Sequence, residues 1–262
     1  MTNGVLVDIT RCIGCRSCQI ACKAWHKLDT DYKGMDGNFT MPKQLNDKNY
    51  TLIEFEEIKG SNKEWQFIKK QCFHCKEPAC VSACPVGALK KLNNSAVVYD
   101  QWLCIGCRYC MIACPFNIPK YEWDTINPWI RKCDFCFDRI EEDLAPACVK
   151  SCPMDVMYFD NYKNVLKEAK KRIKNNPDKY INYIYGEKEA GGTSWIYISD
   201  TPFNKLGFKT NISKVSYPSI TWENSLSKIL WEEAGLLIIL GGMLFLRTRK
   251  DRKEQKDENV NK

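Results

Sequence analysis

Histidine is almost missing from this chain: its 262 residues contain two, His26 and His74, and neither stands directly after a C-x-x-C pair. That absence removes covalently attached c-type haem, which needs C-x-x-C-H. No HExxH helix, zinc-deaminase signature or glycine-rich phosphate loop occurs, and no nucleophile–base constellation stands out. Long apolar runs are lacking except near the C-terminus, which excludes a multi-span membrane protein. The N-terminal stretch Met1-Thr2-Asn3-Gly4-Val5 has neither a charged region followed by an apolar one nor a twin-arginine pair, so no export signal is expected on the chain itself. Hydrophobic residues at 44% and charged ones at 27% leave enough apolar content to exclude wholesale disorder.

What abounds is cysteine. The sixteen fall into four groups of four with none left over: Cys12, Cys15, Cys18, Cys22; Cys72, Cys75, Cys80, Cys84; Cys104, Cys107, Cys110, Cys114; and Cys133, Cys136, Cys148, Cys152. The first and third groups read C-x2-C-x2-C-x3-C, the spacing of bacterial ferredoxins. The second and fourth lengthen one gap, to C-x2-C-x4-C-x3-C and C-x2-C-x11-C-x3-C. Disulfides suit an even count in a secreted protein, but cysteines in runs of three at this spacing are poorly placed for a stapled scaffold. Structural zinc uses C-x2-C pairs joined by long spacers rather than triplets. Four 4Fe-4S clusters fit all four spacings. Pro85, Pro115 and Pro153 follow the last cysteine of groups two, three and four, where a fixed φ turns the chain away; group one has Lys23 there. Gly14, Gly106, Ser17 and Ala21 are small enough to let the backbone curl around a cluster. Arg16, Arg108, Lys76, Lys90 and Lys91 are candidate charges near the clusters, or ordinary solvated side chains.

The formal charge of +7 invites a nucleic-acid reading. Four clusters with their thiolates bring about −8, so the loaded protein is near neutral and no nucleic acid is expected as a partner.

Residues 12–22, CIGCRSCQIAC, match 104–114, CIGCRYCMIAC, at nine of eleven positions. Each is preceded by a short apolar run, Val5-Leu6-Val7 or Ala96-Val97-Val98-Tyr99, which predicts a duplicated strand-then-cluster unit with a short helix at the x3-C end. An insertion at 27–70 becomes strand-like at 50–56. Residues 162–174 predict an amphipathic helix with Val165, Leu166, Ala169 and Ile173 inward, ended by Pro177, and 194–198 a strand. Near the C-terminus, 234–246 is uncharged; counted from Ile229 the apolar stretch reaches 18 residues, with Glu232 and Glu233 at headgroup level, and Arg247, Arg249, Lys250, Arg252 and Lys253 follow. A single membrane anchor over 229–246 is expected, the alternative being a terminal helix buried against a partner. Basic residues stay on the cytoplasmic side, which places the tail inside and the cluster domain outside, carried there by a signal-bearing partner; if that rule fails, the domain is cytoplasmic.

The segments RCIGCRSCQIACKAW at 11–25, KKQCFHCKEPACVSACPVGAL at 69–89, CIGCRYCMIACPF at 104–116, and RKCDFCFDRI with PACVKSCP within 131–153 resemble the four-cluster iron–sulfur β subunits of molybdopterin oxidoreductases and membrane-bound nickel–iron hydrogenases. GGTSWIYISDTPFNKLGF at 191–208 and the terminal anchor bring the resemblance nearest to formate dehydrogenase β subunits and the quinone-linked hydrogenase subunit. It implies an α+β fold of two ferredoxin-like dicluster halves with a C-terminal transmembrane helix. One half is 1–30 with 131–160 and the other 71–130. The remainder is an insertion at 31–70, an extension at 161–225, an anchor at 226–247 and a basic tail at 248–262. It also implies exchanged fourth ligands. Cluster one takes Cys12, Cys15, Cys18 and Cys152; cluster two Cys72, Cys75, Cys80 and Cys114; cluster three Cys84, Cys104, Cys107 and Cys110; cluster four Cys22, Cys133, Cys136 and Cys148. Some nitrate reductase relatives replace one ligand by tryptophan, a departure not present here.

The implied function is a non-catalytic relay of single electrons between a catalytic subunit, with formate dehydrogenase type first, and a membrane partner carrying haem b or quinone. The same relay in a nickel–iron hydrogenase or in a polysulfide, arsenate or sulfoxide reductase is the alternative. A free-standing redox sensor is a third reading, which the anchor and the compact motifs disfavour.

Overall fold

A computed structural model describes residues 2–30, 39–58, 64–126 and 128–260. They form two units, Met1–Tyr217 and Pro218–Lys262. In the first, strand β1 (Asn3–Asp8) has almost every residue buried because both of its faces are covered. A 3-10 turn, Ile9–Arg11, delivers Cys12, and helix α1 (Ser17–His26) carries Cys18 and Cys22. Strands β2 (Leu52–Glu57) and β3 (Trp65–Lys70) pair antiparallel, with Phe55 opposite Phe67. The expected strand at 50–56 thus begins two residues later and has a partner; residues 31–38 and 59–63 of the insertion lie outside the described ones.

Next come the short helix α2 (Ala79–Ser82), the hairpin β4 (Leu89–Lys91) and β5 (Val97–Tyr99), and helix α3 (Tyr109–Ala113). Strands β6 (Lys120–Tyr121) and β7 (Ile130–Arg131) pair antiparallel, and helices α4 (Phe137–Glu141) and α5 (Ala147–Lys150) follow. Strand β8 (Met157–Asn161) returns antiparallel to β1, with Val5 opposite Phe159.

Helix α6 (Tyr162–Asn175) buries Val165, Ala169 and Ile173, as the 3.6-residue period predicts, and leaves Leu166 half-buried. Asn161 caps it by accepting from the Lys163 N–H at 3.1 Å. Strand β9 (Trp195–Ile198) lies parallel to β1, giving the order β8-β1-β9. Alternation across this sheet divides the core. Leu6, Ile196 and Ile198 face α6, whereas Val5, Val7, Trp195 and Tyr197 face an aromatic layer that also holds Cys18 and Cys148.

The duplicated unit is visible in the backbone. Each copy runs strand, 3-10 turn, cysteine loop and helix, and the two loops have nearly the same conformation, with φ +69° at both Gly14 and Gly106 and +63° at both Arg16 and Arg108. Gly14 needs its missing side chain: a Cβ there would stand 2.8 Å from the Phe67 ring. Ser17 and Ala21 differ from expectation. They lie in α1 and not in the curling loop, because the turn is made at Gly14 and Arg16 and the helix starts directly afterwards.

Helix α7 (Tyr217–Thr221) begins at the last residue of the first unit, and the second unit continues with a π-helical turn over Trp222–Leu226 and helix α8 (Ser227–Val260). Within α8, Ser227–Arg249 is 23 residues long and apolar enough to cross a membrane. At 1.5 Å per residue that is about 34 Å, against a hydrocarbon core of about 30 Å. The run from Leu236 to Leu240 and from Met243 to Leu246 is exposed throughout. The basic stretch expected as a separate tail continues the same helix to Val260, since Arg, Lys, Glu and Gln are strong helix formers and no Gly or Pro interrupts them.

Candidate metal centres

All sixteen cysteines are free thiols, and those of Cys18, Cys22, Cys72, Cys80, Cys110, Cys133, Cys136 and Cys148 are buried. Two pairs of helices bring the groups together: α1 packs on α5, joining groups one and four, and α2 packs on α3, joining groups two and three. A small cavity is lined by Cys12, Cys15, Cys18 and Cys152, with Lys69 in its wall.

Elsewhere the proximity shows in the electrostatics. Burial raises the pKa of Cys75 well above the ordinary value, and the neighbouring thiols of Cys72, Cys114 and Cys80 add to it. Burial pushes Cys110 up to about 11, reinforced by Cys104, Cys107 and Cys84. Cys136 is pushed up to about 12 by burial and then by Cys148. Cys84 goes the other way: burial raises it, but the N–H groups of Leu89, Val86, Ala88 and Gly87 outweigh that and lower its pKa.

Three apolar clusters place thiols of different groups side by side. Cys18 and Cys148 share one, with Cys12 and Cys152 against it. Cys22, Cys72 and Cys133 share the second, with Cys114 against it. Cys80 and Cys110 share the third, with Cys84 and Cys104 against it.

The donor set suits an iron–sulfur core. Backbone N–H groups turn toward cysteine sulfurs: Gly106 to Cys104 at 3.4 Å, Phe135 to Cys133 at 3.4 Å, Ala88 to Cys84 at 3.2 Å and Val156 to Cys152 at 3.4 Å. Such bonds favour the thiolate and raise cluster potentials. His74, between Cys72 and Cys75 in sequence, is fully buried and stacks on Phe135 at 4.8 Å. Its Nδ1 accepts from the Val97 N–H at 2.9 Å, while Nε2 has no partner among the described residues, leaving a buried donor between Cys72 and Cys75 in sequence. Burial and the cations Lys132 and Lys91 hold its pKa well below the usual value, so it is neutral.

The candidate charges divide between the two readings: Arg16 lines the cavity of the group-one cysteines and Lys91 lies near Cys75, Cys72 and Cys80, whereas Lys90 is exposed. Arg108 stacks on Tyr121 and Trp123, Arg16 on Phe55, and Lys76 on Tyr162. Lys91 donates to the His74 and Ser95 carbonyls at 3.0 and 2.7 Å. Not foreseen were Lys69 and Lys132, both buried among the cysteines. Also not foreseen was His26, whose Nε2 lies 3.7 Å from the Cys136 sulfur and 3.4 Å from Asp134. The available signal was position: Lys69 precedes Cys72 by three residues inside a strand, and Lys132 directly precedes Cys133.

Each thiol must lose its proton to bind iron, and burial holds Cys18 and Cys80 up at about 12. Loading therefore releases protons and is opposed as pH falls. Anaerobic reconstitution from iron and sulfide is expected to incorporate progressively less iron from about pH 8.5 down to about pH 6.5. A flat yield across that range contradicts this.

The 4Fe-4S dicluster domain family matches twice, over residues 11–88 and 63–162. The matched spans follow the chain, whereas the α1–α5 pair joins its first and fourth cysteine groups. Among curated relatives, a Nitratidesulfovibrio vulgaris chain described simply as a protein is 41% identical over 83% of this chain, which covers 60% of that relative's length. The nitrate-inducible formate dehydrogenase iron-sulfur subunit of Escherichia coli K12 is 32% identical, covering 92% of this chain and 82% of its own. The hydrogenase-2 operon protein HybA of Escherichia coli O157:H7 is 33% identical, covering 78% and 71%. With two dicluster matches and sixteen cysteines, the chain binds four 4Fe-4S clusters.

Proposed function

Because the chain belongs to the family of 4Fe-4S dicluster iron-sulfur subunits of formate dehydrogenase and hydrogenase type, we propose that it is a non-catalytic electron relay between a catalytic subunit and a membrane partner. The observation that carries this reading is the succession of thiol neighbourhoods. Group pairs meet at Cys18 with Cys148, then at Cys133 with Cys72, then at Cys80 with Cys110. When bound, the clusters supply reversible one-electron transfer.

We assign Cys12, Cys15, Cys18 and Cys152 to cluster one, Cys22, Cys133, Cys136 and Cys148 to cluster four, Cys72, Cys75, Cys80 and Cys114 to cluster two, and Cys84, Cys104, Cys107 and Cys110 to cluster three. The neighbourhoods support the spatial order one, four, two, three, so clusters one and three are the ends of the row. The surrounding residues hold the thiols, donate N–H groups to them and exclude water. Both ends are rimmed by exposed apolar side chains: Ile13 and Ile20 at the first, Trp102, Ile105 and Ile112 at the other. These are the surfaces on which we place partner subunits.

On this reading the halves are 1–30 with 131–160 and 71–130, and α8 is the anchor that joins the complex to the bilayer. The basic residues after Leu246 stay cytoplasmic, and the cluster unit lies on the other side with its catalytic partner. Formate dehydrogenase subunits among the relatives support a molybdopterin partner; HybA supports a hydrogenase one. Purification through this chain separates them. Molybdenum or tungsten in the co-purified large subunit is the expected result, nickel moves the assignment to hydrogenase, and a chain without any large partner overturns the relay reading.

A further inference from the structure

Lysine 69 is the most enclosed cation among the cysteines, at 2% exposure. Its Nζ donates to Thr51 Oγ1 at 2.6 Å and to Gln71 Oε1 at 3.1 Å, and stands 4.9 Å from the centre of the Trp195 ring. The mount is itself fixed. Gln71 Nε2 donates to the Tyr197 hydroxyl at 2.6 Å, and that hydroxyl donates to the Lys69 carbonyl at 3.1 Å. Among the described residues no carboxylate pairs with the ammonium.

A buried cation without a counter-ion is strongly disfavoured, so the negative charge that holds it has to lie close by. The cavity lined by Cys12, Cys15, Cys18 and Cys152 has Lys69 in its wall. The Trp195 ring that the ammonium faces lies in the same apolar cluster as Cys18 and Cys148, one from each of the groups assigned to clusters one and four. Arg16, at the same cavity, is engaged with the Phe55 ring and the Phe39 carbonyl.

We propose that Lys69 is the charge-compensating residue shared by clusters one and four, and that it raises the reduction potentials of both. It touches no substrate and acts as a positioning charge. The physical reason is direct: reduction adds one negative charge to a cluster, and a fixed ammonium in a site of low dielectric favours the more negative state. The Thr51, Gln71 and Tyr197 bonds keep the charge in place through each redox cycle. This inference rests on the ligand assignment given above.

The test is potentiometric electron paramagnetic resonance on the purified complex, with dithionite as reductant, comparing wild type with Lys69→Met and Lys69→Arg. In Lys69→Met, the midpoint potentials of two clusters are expected to fall while the other two stay unmoved, with iron content unchanged. In Lys69→Arg, the two potentials are expected to remain near the wild-type values. Four unmoved potentials in Lys69→Met overturn the proposal. If Lys69→Met fails to load clusters one and four, loading restored in Lys69→Arg supports a charge role, and failure in both overturns it in favour of shape. Loss of cluster one's signal instead of cluster four's in Cys22→Ser would refute the ligand assignment, which separates the two failures.

Discussion

In a Cys22→Ser variant, the signal expected to collapse is that of the cluster held by Cys133, Cys136 and Cys148, while the cluster held by Cys12, Cys15 and Cys18 persists. Cys22 lies one helical turn beyond Cys18 on α1, so proximity in sequence predicts the opposite. In the structure, however, burial raises the pKa of the Cys22 thiol, and the thiols that add to it are those of Cys148 and Cys136. It also shares an apolar cluster with Cys133. Losing a direct ligand should cost more than the roughly 10–100-fold in affinity that loss of an outer partner costs. Because cluster four sits second in the proposed row, electron flow between the catalytic subunit and the membrane should fall steeply even with three clusters intact. Selective loss of cluster one's signal would reverse the assignment of the fourth ligands.

Truncation after Leu230 is expected to release the complex from membranes or to uncouple it from quinone. The segment removed includes eight Leu, Ile and Phe side chains between Leu236 and Leu246, all exposed. At about 0.3–0.6 kcal/mol each, their insertion contributes about 2–5 kcal/mol. That is enough to decide whether a single-pass chain stays with the bilayer, since a membrane-embedded partner adds only what its own contact with this chain supplies. Membrane fractionation and quinone-linked turnover read the effect. Unchanged retention together with unchanged turnover would count against α8 as an anchor.

Much of the site could be read from the sequence because cluster binding is written in short spacings. The near-identity of 12–22 and 104–114 predicts one local structure twice, and the backbone angles at Gly14 with Arg16 and Gly106 with Arg108 repeat within a degree. The period of α6 and the apolar runs of β1, β5 and β9 were equally legible. Lys69 was not. A lysine near the end of a strand reads as a solvated side chain, and only the packing of β3 against Trp195 and the cysteine core shows it enclosed. His74 was hidden for a similar reason: its burial depends on Phe135, 61 positions away in the chain. The continuation of α8 through the basic tail was not legible, because a charge cluster marks where an apolar segment stops and says nothing about where a helix does.

This chain binds four 4Fe-4S clusters, and we propose that they form one electrically connected row. Iron analysis combined with a reductive titration of the anaerobically purified complex tests it most directly. About sixteen irons in this chain beyond the partner's own, in four centres that reduce one electron at a time with magnetic coupling between neighbours, is the predicted result. Far fewer irons, with zinc in their place and no reducible centres, would contradict it.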